Sequence, residues 1–181
     1  MSAEKKTGGL AGVVAGETAI CTVGKEGVGL TYRGYSIEEL AEKSTFEEVA
    51  YLLLYGKLPT DAEQTAYKSK LISLRGLPAQ LKTVLEQLPA DSHPMDVMRT
   101  GCSALGCLEP ETQAHDPFQI ANRLLALFPS MLLYWFHFAK SGKRIETQTD
   151  DPNIASHFLH LLHGKPADDL LNRAMDSSLI L

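Results

Sequence analysis

The 181-residue sequence has few of the residues that build disulfide frameworks, zinc ribbons or nucleic-acid surfaces. Its three cysteines, Cys21, Cys102 and Cys107, form an odd set without CxxC spacing. This set argues against a disulfide framework and a zinc ribbon, and it fits a reducing cytosol. The net charge of −5 and the pI of about 5.7 leave no basic footprint for nucleic acid. We therefore expect a cytoplasmic protein without a nucleic-acid partner.

The sequence also lacks a run that could span a membrane. Its most apolar window, 124–138, is shorter than the roughly 20 residues that a spanning helix needs, and Pro129 interrupts it. The first seven residues are polar and contain no signal-peptide core. With 44% hydrophobic and 22% charged residues and a mean hydropathy of −0.08, the composition is typical of a globular protein. We expect no membrane partner.

Strand signals occur only near the beginning of the chain, and helix signals follow. Two runs rich in β-formers, 18–23 and 28–32, predict a small hairpin. Three residue pairs match the capping box that begins a helix: Ser36 with Glu39, Thr45 with Glu48, and Thr60 with Glu63. Five prolines stand where further helices would begin: Pro78, Pro94, Pro117, Pro152 and Pro166. The prediction is a mainly α fold with eight helices, divided into a hairpin segment, 1–35, and a helical portion, 36–181.

The last predicted helix, 166–181, is amphipathic and ends on an apolar run. Its expected apolar face consists of five residues: Leu170, Leu171, Ala174, Met175 and Leu179. No glycine, basic turn or polar tail follows it. Two interpretations stay open: a terminal helix docked on the core, or a chain cut inside a larger fold. The second is favoured because the predicted helix from Pro117 is apolar nearly all round and needs neighbours on every side.

The sequence offers several weak candidates for chemistry. His157, His160 and His163 recur every third residue, not at the i, i+4 spacing of paired helix ligands. This spacing favours histidines at the boundary between the buried and exposed sides of a helix over a metal site. Gly101 and Gly106 have the glycine spacing of a P-loop without its Lys-Ser or Lys-Thr, which favours glycines that pack helices together. Cys102 and Cys107 lie on a predicted buried helix, where a small apolar role is expected.

Two further residues could be structural or could contact a substrate. Arg33 follows the predicted hairpin and precedes a helix, so it could tie the two together or contact a substrate anion. His93 precedes Pro94 at a predicted helix start, where a helix-entry hydrogen bond is the simplest role. A catalytic base is the alternative for His93, but the sequence identifies no acid partner for it.

Several separated stretches resemble, in order and spacing, the amino-terminal half of the citrate synthase superfamily, and most closely its 2-methylcitrate synthase branch. The stretches are 12–24, Tyr32-Arg-Gly-Tyr35, 46–50, 56–60, 92–101, Tyr134-Trp135 and 157–164. The resemblance implies a mostly α-helical homodimer with a large and a small domain. It also implies condensation of propionyl-CoA with oxaloacetate to 2-methylcitrate and CoA, with no metal and no redox cofactor.

The resemblance also implies which residues the chain does not contain. In this family an aspartate removes the α-proton of the acyl-CoA, and histidines stabilise the enol and polarise oxaloacetate. Those histidine motifs are not found around any of the six histidines here and are expected beyond Leu181. Arg33 matches the family's Tyr-Arg-Gly-Tyr position and His93 its His-Pro-Met position, and both are kept as structural or weak substrate-contact candidates. We therefore expect the isolated chain to be inactive. The alternatives are a citrate synthase that uses acetyl-CoA and a non-catalytic truncated module that pairs with a full-length subunit.

Overall fold

The computed structural model describes residues 9, 13–14, 16–22 and 29–181. A small antiparallel sheet in the order β1-β2-β3 contains Cys21–Thr22, Thr31–Tyr32 and Tyr35–Ser36. Cys21 pairs with Tyr32, which confirms the pairing of the predicted hairpin, while its predicted turn, 24–27, lies outside the described residues. The third strand was not predicted. It forms because Arg33 and Gly34, with φ of 51° and 91°, make a tight two-residue turn that reverses the chain.

Eight helices follow the sheet in the described part of the chain, as the sequence predicts. They are α1 (Ile37–Lys43), α2 (Phe46–Tyr55), α3 (Asp61–Ser73), α4 (Ala79–Glu86), α5 (Pro94–Leu108), α6 (Pro117–Ser141), α7 (Ile154–His163) and α8 (Asp169–Ile180). None of these helices is both long and apolar enough to cross a membrane, as far as the described residues extend.

Two of the three predicted capping boxes are present. At α3 the Glu63 carboxylate accepts from the Thr60 backbone N–H at 2.9 Å, and the Thr60 hydroxyl accepts from the Glu63 N–H at 3.3 Å. At α2 the Glu48 carboxylate accepts from the Thr45 N–H at 2.7 Å. The predicted box at Ser36 is wrong, because the Ser36 hydroxyl donates to Glu38 instead of capping the helix. Ser36 is also paired in β3, which fixes its backbone.

Proline marks some helix starts and not others. Helices α5 and α6 begin at Pro94 and Pro117, and α4 begins directly after Pro78. The predictions for Pro152 and Pro166 are wrong by two and three residues, because α7 begins at Ile154 and α8 at Asp169. In both cases a side-chain acceptor sets the start: Asn153 Oδ1 accepts from Ser156 N–H at 2.7 Å, and an Asp168 oxygen accepts from Leu171 N–H at 2.8 Å.

Helix α6 lies at the centre of the packing. It contacts α3, α4, α5 and α7, and the largest apolar cluster joins its inward face to α4 and α5. The buried members of that cluster are Leu77, Leu81, Leu85, Val97, Leu105, Leu127, Met131, Tyr134 and Trp135. Gly101 lets α5 approach α6 closely, because a Cβ at that position would collide with the Met131 side chain.

Helix α8 buries only part of the apolar face that its sequence predicts: Met175 and Leu179 are half-buried, but Ala174 is exposed. Leu170 and Leu171 are 83% and 42% exposed, whereas Asp176 and Ile180 are buried. The orientation follows from polar contacts to the junction of α1 and α2. The Arg173 guanidinium donates to the carbonyls of Ala41, Glu42 and Ser44 at 2.6–2.9 Å. These bonds satisfy the last carbonyls of α1 and rotate α8 so that its acidic residue faces inward.

Candidate functional site

Arg33 ties the small sheet to α2. Its backbone N–H donates to the Ile20 carbonyl at 2.8 Å, and its Nη2 donates to the Leu53 carbonyl at 3.0 Å. Its Nε is buried, and no described residue accepts a hydrogen bond from it. The Arg33 side chain therefore links the small sheet to α2. Its buried Nε–H remains a donor that an anion or a water molecule could accept from.

His93 is the N-cap of α5. Its Nδ1 accepts from the Met95 backbone N–H at 3.2 Å, and the side chain is exposed. Because Nδ1 accepts, the neutral ring has its proton on Nε2. Among the described residues, no hydrogen bond or ion pair joins His93 to Arg33: His93 caps α5, whereas Arg33 ties the small sheet to α2.

The three histidines of α7 have three different environments. His157 is fully buried, so the predicted position at the boundary between the buried and exposed sides of the helix is wrong for His157. Burial is the main reason that the pKa of His157 falls to about 3, and the nearby Arg75 lowers it further. His160 is half-buried with its Nδ1 2.8 Å from Asp151, and His163 is exposed. Among the described residues, no group of three His, Cys, Asp or Glu side chains could hold a metal ion.

The glycine and cysteine candidates on α5 are also distinguished by their surroundings. Gly101 is buried against Met131, as a packing glycine should be, but Gly106 is exposed with nothing near its missing Cβ. The packing interpretation is therefore wrong for Gly106. Cys102 is half-buried and Cys107 is exposed, so the expected buried role is wrong for Cys107. All three cysteines are free thiols in the structure.

Two buried carboxylates cap helices that are remote from them in sequence. Sequence reasoning identified neither of them. A Glu47 oxygen on α2 accepts from the Ile154 N–H at the start of α7 at 2.7 Å. An Asp176 oxygen on α8 accepts from the Phe46 N–H at the start of α2 at 3.1 Å. Burial raises the pKa of both carboxyls above their ordinary values. The partners are 107 and 130 residues apart, so no local pattern could reveal them.

Two adjoining apolar grooves open beside α6, with volumes of about 180 and 380 Å³. The smaller lies between α6, α7 and α8, and the larger between α2, α6 and α8. Four residues line both of them: Phe46, Leu125, Phe128 and Leu179. Among the described residues, no Asp, Glu, His, Lys, Arg, Cys, Ser or Thr side chain lines either groove, and Tyr32 in the larger one is the single lining residue with a titratable group. These walls are therefore suited to binding apolar groups.

Comparisons with known proteins give the family. A family model described as citrate synthase, C-terminal domain, matches residues 9–181. A 2-methylcitrate synthase of Shewanella oneidensis is 62% identical over 180 residues, which are 99% of this chain and 48% of that protein. A citrate synthase of Synechocystis sp. is 37% identical, with 96% of this chain and 44% of that protein covered. The chain thus spans about half the length of the curated relatives it matches.

Solved structures support the same family assignment. Citrate synthase from Thermotoga maritima superposes with a TM-score of 0.80 at 35% identity, covering 95% of this chain and 45% of that one. The ternary complex of carboxymethyl coenzyme A and oxaloacetate with citrate synthase from Thermoplasma acidophilum has a TM-score of 0.82 at 25% identity, with 93% and 45% covered. With nearly the whole chain matched in sequence and in fold, the protein belongs to the citrate synthase family.

Proposed function

We propose that this chain forms the amino-terminal half of a 2-methylcitrate synthase, which condenses propionyl-CoA with oxaloacetate and then hydrolyses the resulting thioester with water to release 2-methylcitrate and CoA. The supporting observation is the 62% identity, over 99% of the chain, to the Shewanella oneidensis protein of that name. Relatives named citrate synthase are less similar, such as the Synechocystis protein at 37%. The proposal places the protein in the cytoplasm and in propionate catabolism.

The role proposed for this chain is that of a scaffold. It supplies the small sheet, the helical portion of the large domain and surface for a homodimer. Condensation requires a base for the weakly acidic α-proton of the thioester and a hydrogen-bond donor for the enol. The buried His157 has both ring nitrogens engaged by hydroxyl groups, and the exposed His93 acts as a helix cap. Neither is placed for such chemistry, so the isolated chain should be inactive.

Arg33 is the residue of this chain that we propose as a contact for a substrate carboxylate, with His93 as a second, weaker candidate. The buried Nε of Arg33 without a partner supports its choice. The reaction needs no metal and no redox cofactor, because the acyl-CoA is itself a substrate and the bond-forming step is a proton abstraction followed by carbon–carbon bond formation.

The alternative within the family is a citrate synthase that uses acetyl-CoA. One methylene in an apolar pocket is worth only about 1–3 kcal/mol, so family membership alone does not decide the acyl group. The test measures release of the CoA thiol with oxaloacetate and either acyl-CoA, using a polypeptide of the relatives' full length that begins with this chain. A higher kcat/KM for propionyl-CoA is the expected result, and a preference for acetyl-CoA would replace the proposal with the alternative.

The same assay on the 181-residue chain tests its proposed role as a scaffold. No thiol release is expected, and oxaloacetate-dependent release would show that this half contains the catalytic groups. The apolar grooves also favour a second role, a non-catalytic module that pairs with a full-length subunit. Co-purification of the chain with full-length enzyme, together with reduced enzyme activity, is the result that this role requires.

A further inference from the structure

The imidazole of His157 lies between two hydroxyl groups from different elements. Its Nε2 is 3.0 Å from Ser130 Oγ on α6, and its Nδ1 is 2.8 Å from Thr149 Oγ1. Thr149 belongs to the α6–α7 loop, which comprises residues 142–153. His157 and Ser130 are both fully buried, so protein groups alone satisfy the ring.

The acid at the end of this row fixes the direction of every hydrogen bond in it. Thr149 Oγ1 is 2.6 Å from Asp151 Oδ2, and an ionised carboxylate can only accept. The single hydroxyl hydrogen of Thr149 therefore points to Asp151, and Thr149 must accept from His157 Nδ1–H. The neutral ring then has a bare Nε2, which accepts from the Ser130 hydroxyl. His160 Nδ1 donates to the same Asp151 oxygen at 2.8 Å.

These bonds attach the α6–α7 loop to the helices behind it. Thr149 and Asp151 lie in the loop, whereas Ser130 and His157 lie on α6 and α7. Arg75, also fully buried, adds bonds from the other side, because its guanidinium donates to the carbonyls of Thr149 and Asp151 at 3.0 and 2.7 Å. The loop has no regular secondary structure, so side-chain contacts hold it in place. Besides the row and Arg75, these are the Arg144–Glu86 ion pair, the hydrogen bond from Gln148 Nε2 to the Ile72 carbonyl at 2.9 Å, and the packing of Ile145.

We propose that the row Ser130–His157–Thr149–Asp151 is an acid-sensitive latch: it fastens Thr149 and Asp151 of the α6–α7 loop while His157 is neutral, and a second proton on His157 favours release of the loop. A second proton would have to enter at Nε2, where it meets the Ser130 hydroxyl. Ser130 could turn its hydrogen only toward the Thr147 carbonyl at 3.5 Å, a poor hydrogen bond. The charged and titratable groups that face the ring are Arg75, Asp151 and His160, and Arg75 opposes a further positive charge.

The sign of the pH effect follows from the two states of the loop. With the loop in place, burial lowers the pKa of His157 to about 3, from an ordinary value of 6.5. With the loop open, the ring meets water and regains its ordinary value. The open state therefore binds more protons between these two values, and opening becomes more favourable as the pH falls through that window.

The first test reads the tautomer of His157 without any perturbing variant. Histidine labelled with ¹⁵N should show His157 neutral and protonated on Nδ1 at pH 7. Thr149→Ser keeps the acceptor and should preserve this tautomer, whereas Thr149→Val removes the acceptor and should move the proton to Nε2. A His157 protonated on Nε2 in the unaltered chain would overturn the proposal.

The second test measures amide hydrogen exchange of residues 145–151 from pH 7 to pH 4.5, corrected for intrinsic rates. The opening constant should rise about tenfold for each pH unit below about 6.5. His157→Gln cannot titrate and should abolish this rise, while His163→Gln, which removes an exposed histidine of the same helix, should retain it. A rise that survives His157→Gln, or no rise in the unaltered chain, would contradict the latch.

Discussion

The two faces of α6 have opposite surroundings although their sequences are equally apolar. Leu127 and Met131 are fully buried against α4 and α5, whereas Phe128, next to Leu127 in the chain, is 37% exposed and lines both apolar grooves. One face is packed as in the interior of a domain, whereas the other is left partly uncovered by the residues that the structure describes. Apolar composition therefore predicts that a face can be covered, and only the neighbouring elements determine whether it is.

The open face agrees with the expectation that a helix apolar all round needs neighbours on every side. The described helices supply those neighbours on the side of α4 and α5. On the other side, α2 and α8 leave grooves of about 380 and 180 Å³. The curated relatives are about twice as long as this chain, so a family member has further polypeptide that could cover such a surface.

The largest expected contrast comes from truncating adjacent residues of α6. Leu127→Ala should lower the free energy of unfolding by about 2–5 kcal/mol, because it leaves a cavity in a closed core. Phe128→Ala removes a larger side chain but should cost less than about 1.5 kcal/mol, since the site is already partly open to water. Urea denaturation of both variants measures the difference. Equal losses would show that the two faces are packed alike.

A glycine on the closed face gives the next contrast. Gly101→Ala should destabilise the protein by about 1–3 kcal/mol, because the new methyl group collides with Met131. Gly106→Ala is the matched control on the same helix, where nothing lies near the new methyl group. The control should be neutral or stabilising by up to about 1 kcal/mol, as alanine favours helix. Thermal melts of the pair test this, and a destabilising Gly106→Ala would contradict it.

A polar contact at the edge of the closed face should have a smaller effect. The Tyr134 hydroxyl donates to Glu86 at 2.6 Å, and Tyr134→Phe should cost about 1 kcal/mol at neutral pH. Burial, with a contribution from this bond, raises the pKa of Tyr134 to about 12. The unfolded chain ionises first, so stability should fall as the pH rises from 10 toward 12.

Denaturation of Tyr134→Phe across that pH range provides the check. The variant lacks the titrating hydroxyl, so its stability should fall less steeply than that of the unaltered chain. Tyr35→Phe is the matched control, because Tyr35 is 43% exposed and should leave the slope unchanged. Identical slopes for Tyr134→Phe and the unaltered chain would contradict the assignment.

On the open face, binding is a more direct measurement than stability. The grooves should bind a hydrophobic dye and promote self-association. Phe128→Asp should reduce dye fluorescence roughly twofold, because it places a charge in the wall shared by both grooves. Leu170→Asp is the control, since Leu170 is 83% exposed but lines neither groove. If the unaltered chain is a monomer that binds no dye, the claim that this apolar face of α6 is accessible is wrong.

Local rules predicted most of the secondary structure. The capping boxes at Thr45 and Thr60 and the left-handed glycines Gly56, Gly142 and Gly164 were visible because each acts within four residues of its partner. The misplaced starts of α7 and α8 had a local cause as well, since Asn153 and Asp168 are better caps than the prolines before them.

The candidate site was less predictable. The sequence identified Arg33 and His93, but no pattern along the chain showed that Arg33 would bond the Leu53 carbonyl. His157 was visible as a histidine, but its partners Ser130 and Thr149 lie 27 and 8 residues away, at no helical spacing. The groups around it come from an irregular loop, for which periodicity gives no placement.

The sequence by itself determined the helical class, the position of most helices and the resemblance to citrate synthases, because these depend on local hydrogen bonding and on motifs read in order. The tertiary structure alone decided which face of α6 is closed, why α8 turns Asp176 inward, and how Glu47 caps α7 from 107 residues away. Such contacts form only when distant segments meet, and their energies depend on burial, which a linear sequence does not specify.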